Sequence, residues 1–150
     1  MGLSTTPSNL EEYMFFNSQE RKINFGLLVM RVGLAAMLFI HSMPVLFGGA
    51  AQWKRIGTGL SFINIGFPPE VIGFVVMLLE SLGALSLLFG YLFRPFSIVL
   101  VVLYCLYFFN FYNIGYRTLM LYSLSLASVF IGFANTGPGR YSIAVKLEKK

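Results

Sequence analysis

Four polar side chains stand inside stretches of sequence that are otherwise apolar: Arg31, His41, Glu80 and Asn110. Each stretch is long enough to cross a bilayer, where an ionisable group is costly unless it is paired or hydrated. A group kept at that depth is therefore a candidate for function. Histidine titrates near neutral pH and can donate or accept a hydrogen bond, which suits a proton relay or a quinone carbonyl. We take Arg31, His41 and Glu80 as the candidate catalytic residues.

Arg31 and Glu80 are predicted to form a pair. Arg31 lies about 10 Å from the start of the first span at 1.5 Å per residue, and Glu80 lies near the middle of the antiparallel second span. Gly73 and Gly83 fall on the same side as Glu80, and small residues let another helix approach, so Glu80 is expected to face the interior. The pair would be either a structural ion pair that fixes helix register or part of a ligand or proton site.

His41 is predicted near the outer end of the first span, about 80° around that helix from Arg31. Two interpretations are open: a proton relay or quinone contact, and a histidine hydrogen-bonded to the long loop that follows. There is no second histidine, and Glu80 is the acidic residue at depth. A metal site made by this chain alone is therefore not expected.

The third apolar stretch carries an aromatic stripe at helical spacing, formed by Tyr104, Tyr107, Phe108, Phe111 and Tyr112. Such a stripe can flank a flat ring system, or it can serve packing and interface anchoring. Asn110 is the polar exception and could hydrogen-bond across helices. Tyr107 and Asn110 are the candidate cofactor-binding residues.

The composition indicates that these residues belong to an integral membrane protein. Hydrophobic residues make up 57% of the 150-residue chain and charged residues 11%, too few to cover the surface of a soluble domain. The net charge of +5 comes mainly from residues that flank apolar runs, so no nucleic-acid partner is expected. The predicted fold is an all-α, four-helix transmembrane bundle, and the predicted spans are 24–47, 71–93, 96–112 and 119–133.

The segments outside the spans are predicted to lie at the membrane surface. The loop from Gly48 to Glu70 is long and is expected to form short interfacial helices with Trp53 at headgroup level. Residues 1–23 are predicted as an interfacial N-terminal segment, residues 24–142 as the membrane domain and residues 143–150 as a basic tail. The distribution of Lys and Arg predicts a multi-pass protein of the inner or plasma membrane with both termini in the cytoplasm.

Taken in order, several short segments resemble the DoxX family of small four-span membrane proteins. They are Arg31, HSMPVLFGG, GFPPE, LLESLGALSLLFGYLFRP and GPGRYS, and they cover about residues 24–142. Met43-Pro44-Val45 departs from the family's His-Gly-x-x-Lys-like segment. The fourth span has no acidic residue, whereas many members carry one there.

The resemblance implies redox work at a membrane, because some relatives form part of a thiosulfate:quinone oxidoreductase and others join complexes linked to oxidative stress. By position, Arg31, His41 and Glu80 are the matching polar residues. The chain has no Fe–S, haem or flavin motif, so an electron carrier would be a diffusible quinone or belong to a partner subunit. The predicted function is a subunit of a quinone-linked membrane complex. The alternatives are a non-catalytic structural subunit and a binder of a small lipid-like molecule.

Overall fold

The computed structural model describes residues 7–60, 62, 66–139 and 141, with side chains from residue 17 onward. The predicted basic tail, residues 143–150, lies outside the described residues. The described chain forms five helices: α1 (Pro7–Phe47), α2 (Ala50–Gly59), α3 (Pro69–Phe89), α4 (Phe93–Ile114) and α5 (Arg117–Thr136). The predicted all-α fold is confirmed. Four helices are long and apolar enough to cross a membrane, namely α1 from Asn17 onward, α3, α4 and α5.

Except for the end of the first span at Phe47, the predicted boundaries differ from the observed ones, by two to four residues in the last three spans. The second span is predicted to reach Phe93, but α3 ends at Phe89 because Gly90 adopts a left-handed conformation (φ 73°) and its N–H bonds to the Ser86 carbonyl at 2.8 Å. The third membrane-spanning helix therefore starts earlier than predicted, at Phe93, with Pro95 in its first turn, where proline is tolerated. Residue 23 is the predicted end of the interfacial N-terminal segment, but α1 runs through this position as one continuous helix.

The four long helices pack in the order α1, α3, α4, α5. Backbone approaches are close between neighbours in this order, whereas α5 meets α1 through side chains such as Tyr122, whose hydroxyl lies 2.9 Å from the Met37 sulfur. The core draws on all four helices and consists of Ala35, Leu38, Ala84, Leu87, Phe93, Leu100, Tyr104, Leu126, Ala127, Phe130 and Phe133. Members of this core contact both buried charged groups, since Phe93 lies against Arg31 and Tyr104 against Glu80.

The predicted short helix in the long loop is α2, which packs on the start of α3 through two glycines. A Cβ atom on Gly57 would lie 1.8 Å from the Pro69 carbonyl oxygen, and a Cβ on Gly73 would lie 1.8 Å from the Trp53 carbonyl oxygen. No other residue type fits at either position without moving the backbones apart. The two glycines therefore allow direct backbone contact between α2 and α3.

Side chains of α2 add two further attachments. The indole N–H of Trp53 lies 3.1 Å from the Val45 carbonyl oxygen and 3.0 Å from that of Leu46, both in the last turn of α1. The Val45 carbonyl also accepts from the Gly48 N–H at 3.2 Å, and the tryptophan adds a second donor there and one for Leu46, so it helps to cap α1. Lys54 of α2 forms a partly exposed ion pair with Glu70 of α3, with a nitrogen–oxygen distance of 3.4 Å. The placement of Trp53 at headgroup level stays a prediction.

Candidate functional site

The Arg31 guanidinium lies in a pocket formed by carbonyl oxygens and an aromatic ring, which we call the arginine site. Its Nε donates to the Leu87 carbonyl at 3.0 Å, its Nη2 lies 3.4 Å from the Leu88 carbonyl, and its Nη1 donates to the Pro138 carbonyl. The guanidinium carbon lies 5.1 Å from the centre of the Phe93 ring, within the range of a cation–π contact. Arg31 is 1% exposed, so the pocket encloses the whole side chain.

The predicted pair of Arg31 and Glu80 is wrong. Leu87 and Leu88, the partners of Arg31, lie seven and eight residues beyond Glu80, which is about 10 Å or more along α3 at 1.5 Å per residue. The physical reason is the end of α3. Its last carbonyls have no intrahelical donor and carry the negative end of the helix dipole, so a cation is stabilised there without a carboxylate.

Glu80 is buried in the middle of the bundle and forms a second polar cluster, the glutamate site, with His41, Tyr104 and Tyr107. The Tyr104 hydroxyl donates to Oε1 of Glu80 at 3.0 Å, and Nδ1 of His41 lies 3.1 Å from the same oxygen. Glu80 has no exposed surface, which confirms its predicted inward orientation. The glutamate site therefore joins α1, α3 and α4.

Two atoms of the glutamate site have no hydrogen-bond partner among the described residues: Oε2 of Glu80 and the hydroxyl of Tyr107. Both are buried. The Tyr107 hydroxyl nevertheless lies within side-chain hydrogen-bonding range of the Glu80 carboxylate, although the geometry of that contact falls short of a hydrogen bond. A buried polar atom without a protein partner is uncommon in native proteins, and its explanation is a bound water, ion or ligand, local strain or a functional role.

His41 connects the glutamate site to the surface of the bundle. Its side chain is 53% exposed, whereas Glu80 is fully enclosed. The described partner of the imidazole is Glu80 and not the following loop, so the predicted hydrogen bond to that loop is wrong, whereas the proton-relay or quinone role stays a prediction. His41 follows Met37 by one helical turn and therefore shares its side of α1, where α5 approaches with Tyr122.

The alignment of α1 against α3 in this region is fixed by a second polar pair next to the first. The hydroxyls of Ser42 and Ser81 lie 2.9 Å apart, and both side chains are buried. Ser42 directly follows His41 and Ser81 directly follows Glu80, so the two contacts lie next to each other between the antiparallel helices. The serine pair supports the position of the imidazole against the carboxylate.

The two predicted cofactor-binding residues lie in different places. Tyr107 belongs to the glutamate site, where its ring packs edge-on against Tyr104 with 5.6 Å between centroids. Asn110 lies one turn further along α4 and lines an open groove of about 570 Å³ beside α2, with Arg55, Thr58, Gly59, Phe62, Asn113 and Ile114. The two residues therefore do not form one binding surface.

Tyr104 is the residue that sequence reasoning missed as a site residue. The sequence identifies it only as a member of the aromatic stripe, in which most rings serve packing. A signal exists, because Tyr104 is three residues before Tyr107 and therefore shares its helix face. Within the described part of the chain, no three His, Cys, Asp or Glu side chains come together as a metal site would require.

Comparison with known proteins agrees with the architecture. Residues 26–113 match the family model described as DoxX. The chain is similar to the inner membrane protein YqjF of Escherichia coli (strain K12), with 35% identity over 116 residues that cover 72% of this chain and 88% of that protein. No solved structure matches. The family match includes every residue of the glutamate site and Arg31.

Proposed function

Because the chain belongs to the DoxX family of membrane proteins, we propose that it acts as the proton-exchanging subunit of a quinone-linked complex in the inner or plasma membrane. One observation supports this function more than any other. The Glu80 carboxylate is fully buried with one oxygen bound by His41 and Tyr104 and the other without a partner among the described residues.

The polar groups of the glutamate site fit a ligand that carries a carbonyl or hydroxyl oxygen. The Tyr107 hydroxyl can donate to such an oxygen, and Oε2 of Glu80 can accept from a hydroxyl. Tyr104 adds a ring beside Tyr107, and flat ligands pack well against aromatic side chains. A quinone headgroup offers both a ring and exchangeable oxygens.

The residues of the site supply a proton path rather than an electron path. A quinone, when bound, supplies the two-electron redox chemistry. Glu80 takes up or releases a proton inside the bundle, and His41 exchanges that proton with the half-exposed side of α1. Tyr104 holds Oε1 in place and leaves Oε2 as the free atom. Because the chain carries no motif for a redox group, the electrons pass through a partner subunit.

A quinone could reach the glutamate site between α1 and α5. The backbones of these two helices stay largely apart, and Met37 and Tyr122 make their contact through flexible side chains. His41 lies one turn from Met37 at the same seam. A lipid-soluble ligand could therefore approach the imidazole from the bilayer without crossing the hydrophobic core.

Quinone binding can be tested with the single tryptophan. Trp53 packs on α3 two turns before Glu80, so quinone bound at the glutamate site is expected to quench its fluorescence. We expect decylubiquinone to quench wild-type protein in nanodiscs, with the Kd raised about tenfold or more in Glu80→Gln or His41→Ala, since each loses a hydrogen bond to the ligand or its partner. Tyr112→Phe is the matched control, because Tyr112 is an exposed aromatic residue of the same helix as Tyr107.

The reaction itself is tested in native membranes. We expect Glu80→Gln and His41→Ala to lower quinone-linked thiosulfate or sulfide oxidation at equal protein levels, and Tyr112→Phe to leave it unchanged. Equal quenching and equal rates in all four proteins would refute the proposal. If wild-type protein binds quinone but the oxidation rates are the same in Glu80→Gln and His41→Ala, the quinone site would stand and the proton-exchanging role would be refuted.

A second candidate function, binding of a lipid-like molecule without redox chemistry, is favoured by a separate apolar groove of about 310 Å³. It lies along the seam of α1 and α3 and is lined by Val32, Ala35, Ala36, Phe39, Ile40, Ala84, Leu85 and Leu88. Mass spectrometry of gently purified protein distinguishes the two. A retained lipid that survives Glu80→Gln but is lost in Ala36→Phe would favour this second function.

A further inference from the structure

A basic cavity lies beside the first turns of the membrane-spanning part of α1, far along that helix from the glutamate site. Its volume is about 520 Å³, and its lining consists of Asn17, Ser18, Arg21, Lys22, Phe25 and Tyr141. An adjoining cavity of about 220 Å³ shares three of these residues, Asn17, Arg21 and Tyr141. Neither cavity has a place in the proton-exchanging function of the glutamate site.

The charge of this cavity is positive. Arg21 and Lys22 are exposed, and neither forms an ion pair with a carboxylate in the part of the chain that the structure describes. No carboxylate belongs to the described lining of either cavity. Asn17 and Ser18 add neutral donors beside the two cations. Such a set of donors is suited to an anion with several oxygens, as in a phosphate group.

The surface next to the cavity is apolar. Ile23 and Phe25, immediately beyond the two cations, are 62% and 61% exposed, and exposed apolar residues continue along α1 with Val29 and Met30. The boundary between charged and lipid-facing side chains therefore runs through the cavity. Aromatic side chains such as Phe25 and Tyr141 are common at this level of membrane proteins.

We propose that this cavity binds an anionic glycerophospholipid, with the phosphate held by Arg21 and Lys22 and an acyl chain lying along Phe25. A free anion would need only the charged half of the surface. A lipid contacts both parts of the surface. Its phosphate can bind the two cations while its acyl chains, which are attached a short distance away, lie on the neighbouring apolar side chains. The cations gain further from the negative potential of a bilayer that contains anionic lipid.

The test compares lipid retention by wild-type protein and two double variants. Arg21→Gln/Lys22→Gln removes both cations of the cavity. Arg55→Gln/Arg117→Gln removes two exposed cations at the opposite end of the bundle and is the matched control. Proteins purified in a neutral detergent are mixed with equal amounts of phosphatidylglycerol and phosphatidylcholine, and the bound lipid is measured by native mass spectrometry.

We expect wild-type protein and the control to retain phosphatidylglycerol about tenfold over phosphatidylcholine, and the cavity variant to lose this preference. An unchanged preference in the cavity variant would overturn the proposal. An equal loss in the control would also overturn it, because the attraction would then come from net charge. In a third arm, inorganic phosphate is added. If it raises the midpoint of thermal unfolding as much as the lipid does, the ligand is the free anion and the lipid assignment is wrong.

Discussion

The arginine site and the glutamate site place two opposite charges between the same two helices, α1 and α3, yet they differ in how completely the charge is satisfied. Arg31 has three carbonyl partners and an aromatic ring, so each of its three guanidinium nitrogens lies near an acceptor. Glu80 has two partners on one oxygen and none on the other among the described residues. A buried charge whose nitrogens all have acceptors is typical of a structural residue. A buried carboxylate with one oxygen lacking a partner is typical of a functional site.

The positions of the two charges along α3 explain this difference. Arg31 lies at the end of α3, where free carbonyls are available from the backbone itself. Glu80 lies in the middle of the helix, where every backbone group is already used, so side chains must supply its partners. A charge at a helix end can therefore be structural at little cost, whereas one in mid-helix depends on neighbouring residues.

The largest effect is expected from removing the arginine. Arg31→Met keeps much of the length of the side chain but leaves the carbonyls of Leu87, Leu88 and Pro138 without their donor, and we expect the free energy of unfolding to fall by about 3 kcal/mol. Thermal or denaturant unfolding in detergent micelles measures it. Arg94→Met is the matched control, because Arg94 is exposed at the same end of the bundle and its loss should cost less than about 0.5 kcal/mol. Equal losses in the two variants would contradict a structural role for Arg31.

The separation of the two sites is tested by double-mutant cycles. His41→Ala and Glu80→Gln should show a coupling energy of about 1–2 kcal/mol in the same unfolding assay, since the side chains are in contact. Arg31→Met and Glu80→Gln should be additive within about 0.5 kcal/mol, because the groups lie far apart along α3. Strong coupling in the second cycle would mean that the two charges form one network after all.

A smaller effect is expected from the hydroxyl of Tyr104. Tyr104→Phe keeps the ring in the core but removes the donor to Oε1 of Glu80, so stability should fall by about 1 kcal/mol. Proton exchange at Glu80 should change as well, and quinone-linked rates in native membranes report it. Unchanged stability would show that this hydrogen bond contributes nothing to the position of the carboxylate.

The smallest effect on stability is expected from Tyr107, whose hydroxyl, unlike that of Tyr104, has no hydrogen-bond partner among the described residues. Tyr107→Phe should leave the free energy of unfolding within about 0.5 kcal/mol of wild type, because the hydroxyl that it removes lies near Glu80 without forming a well-aligned hydrogen bond. Quinone affinity, measured by quenching of Trp53, should nevertheless fall. A variant that loses stability and retains affinity would mean that Tyr107 supports the fold rather than the ligand.

The bundle could be predicted from the sequence because length and hydropathy act locally. An apolar run of sufficient length must form a helix in lipid, whatever its neighbours are. The inward orientation of Glu80 could be predicted for a similar reason, since the glycines on its side of α3 mark the packed face. Gly73 and Gly83 are indeed in close contact with α2 and with Leu100 of α4.

The partners of the charges could not be predicted in the same way, because they depend on the register between helices. A shift of α1 by two to three turns against α3 decides whether Arg31 or His41 faces Glu80. The carbonyls that bind Arg31 have no signature in the residue types of Leu87 and Leu88. The hydrogen bond of Tyr104 to Glu80 could not be predicted either, because an aromatic residue that donates a hydrogen bond has the same helical spacing as one that only packs.

The glycine contact between α2 and α3 has a consequence for motion in this protein. Because α2 and α3 touch backbone to backbone and Trp53 also bonds to α1, we expect α2 and α3 to move together. Helix α2 is therefore not expected to act as a mobile lid over the bundle. We expect α5 and α1 to separate more easily than the other helix pairs. A ligand would then reach the buried Glu80 carboxylate sideways from the bilayer.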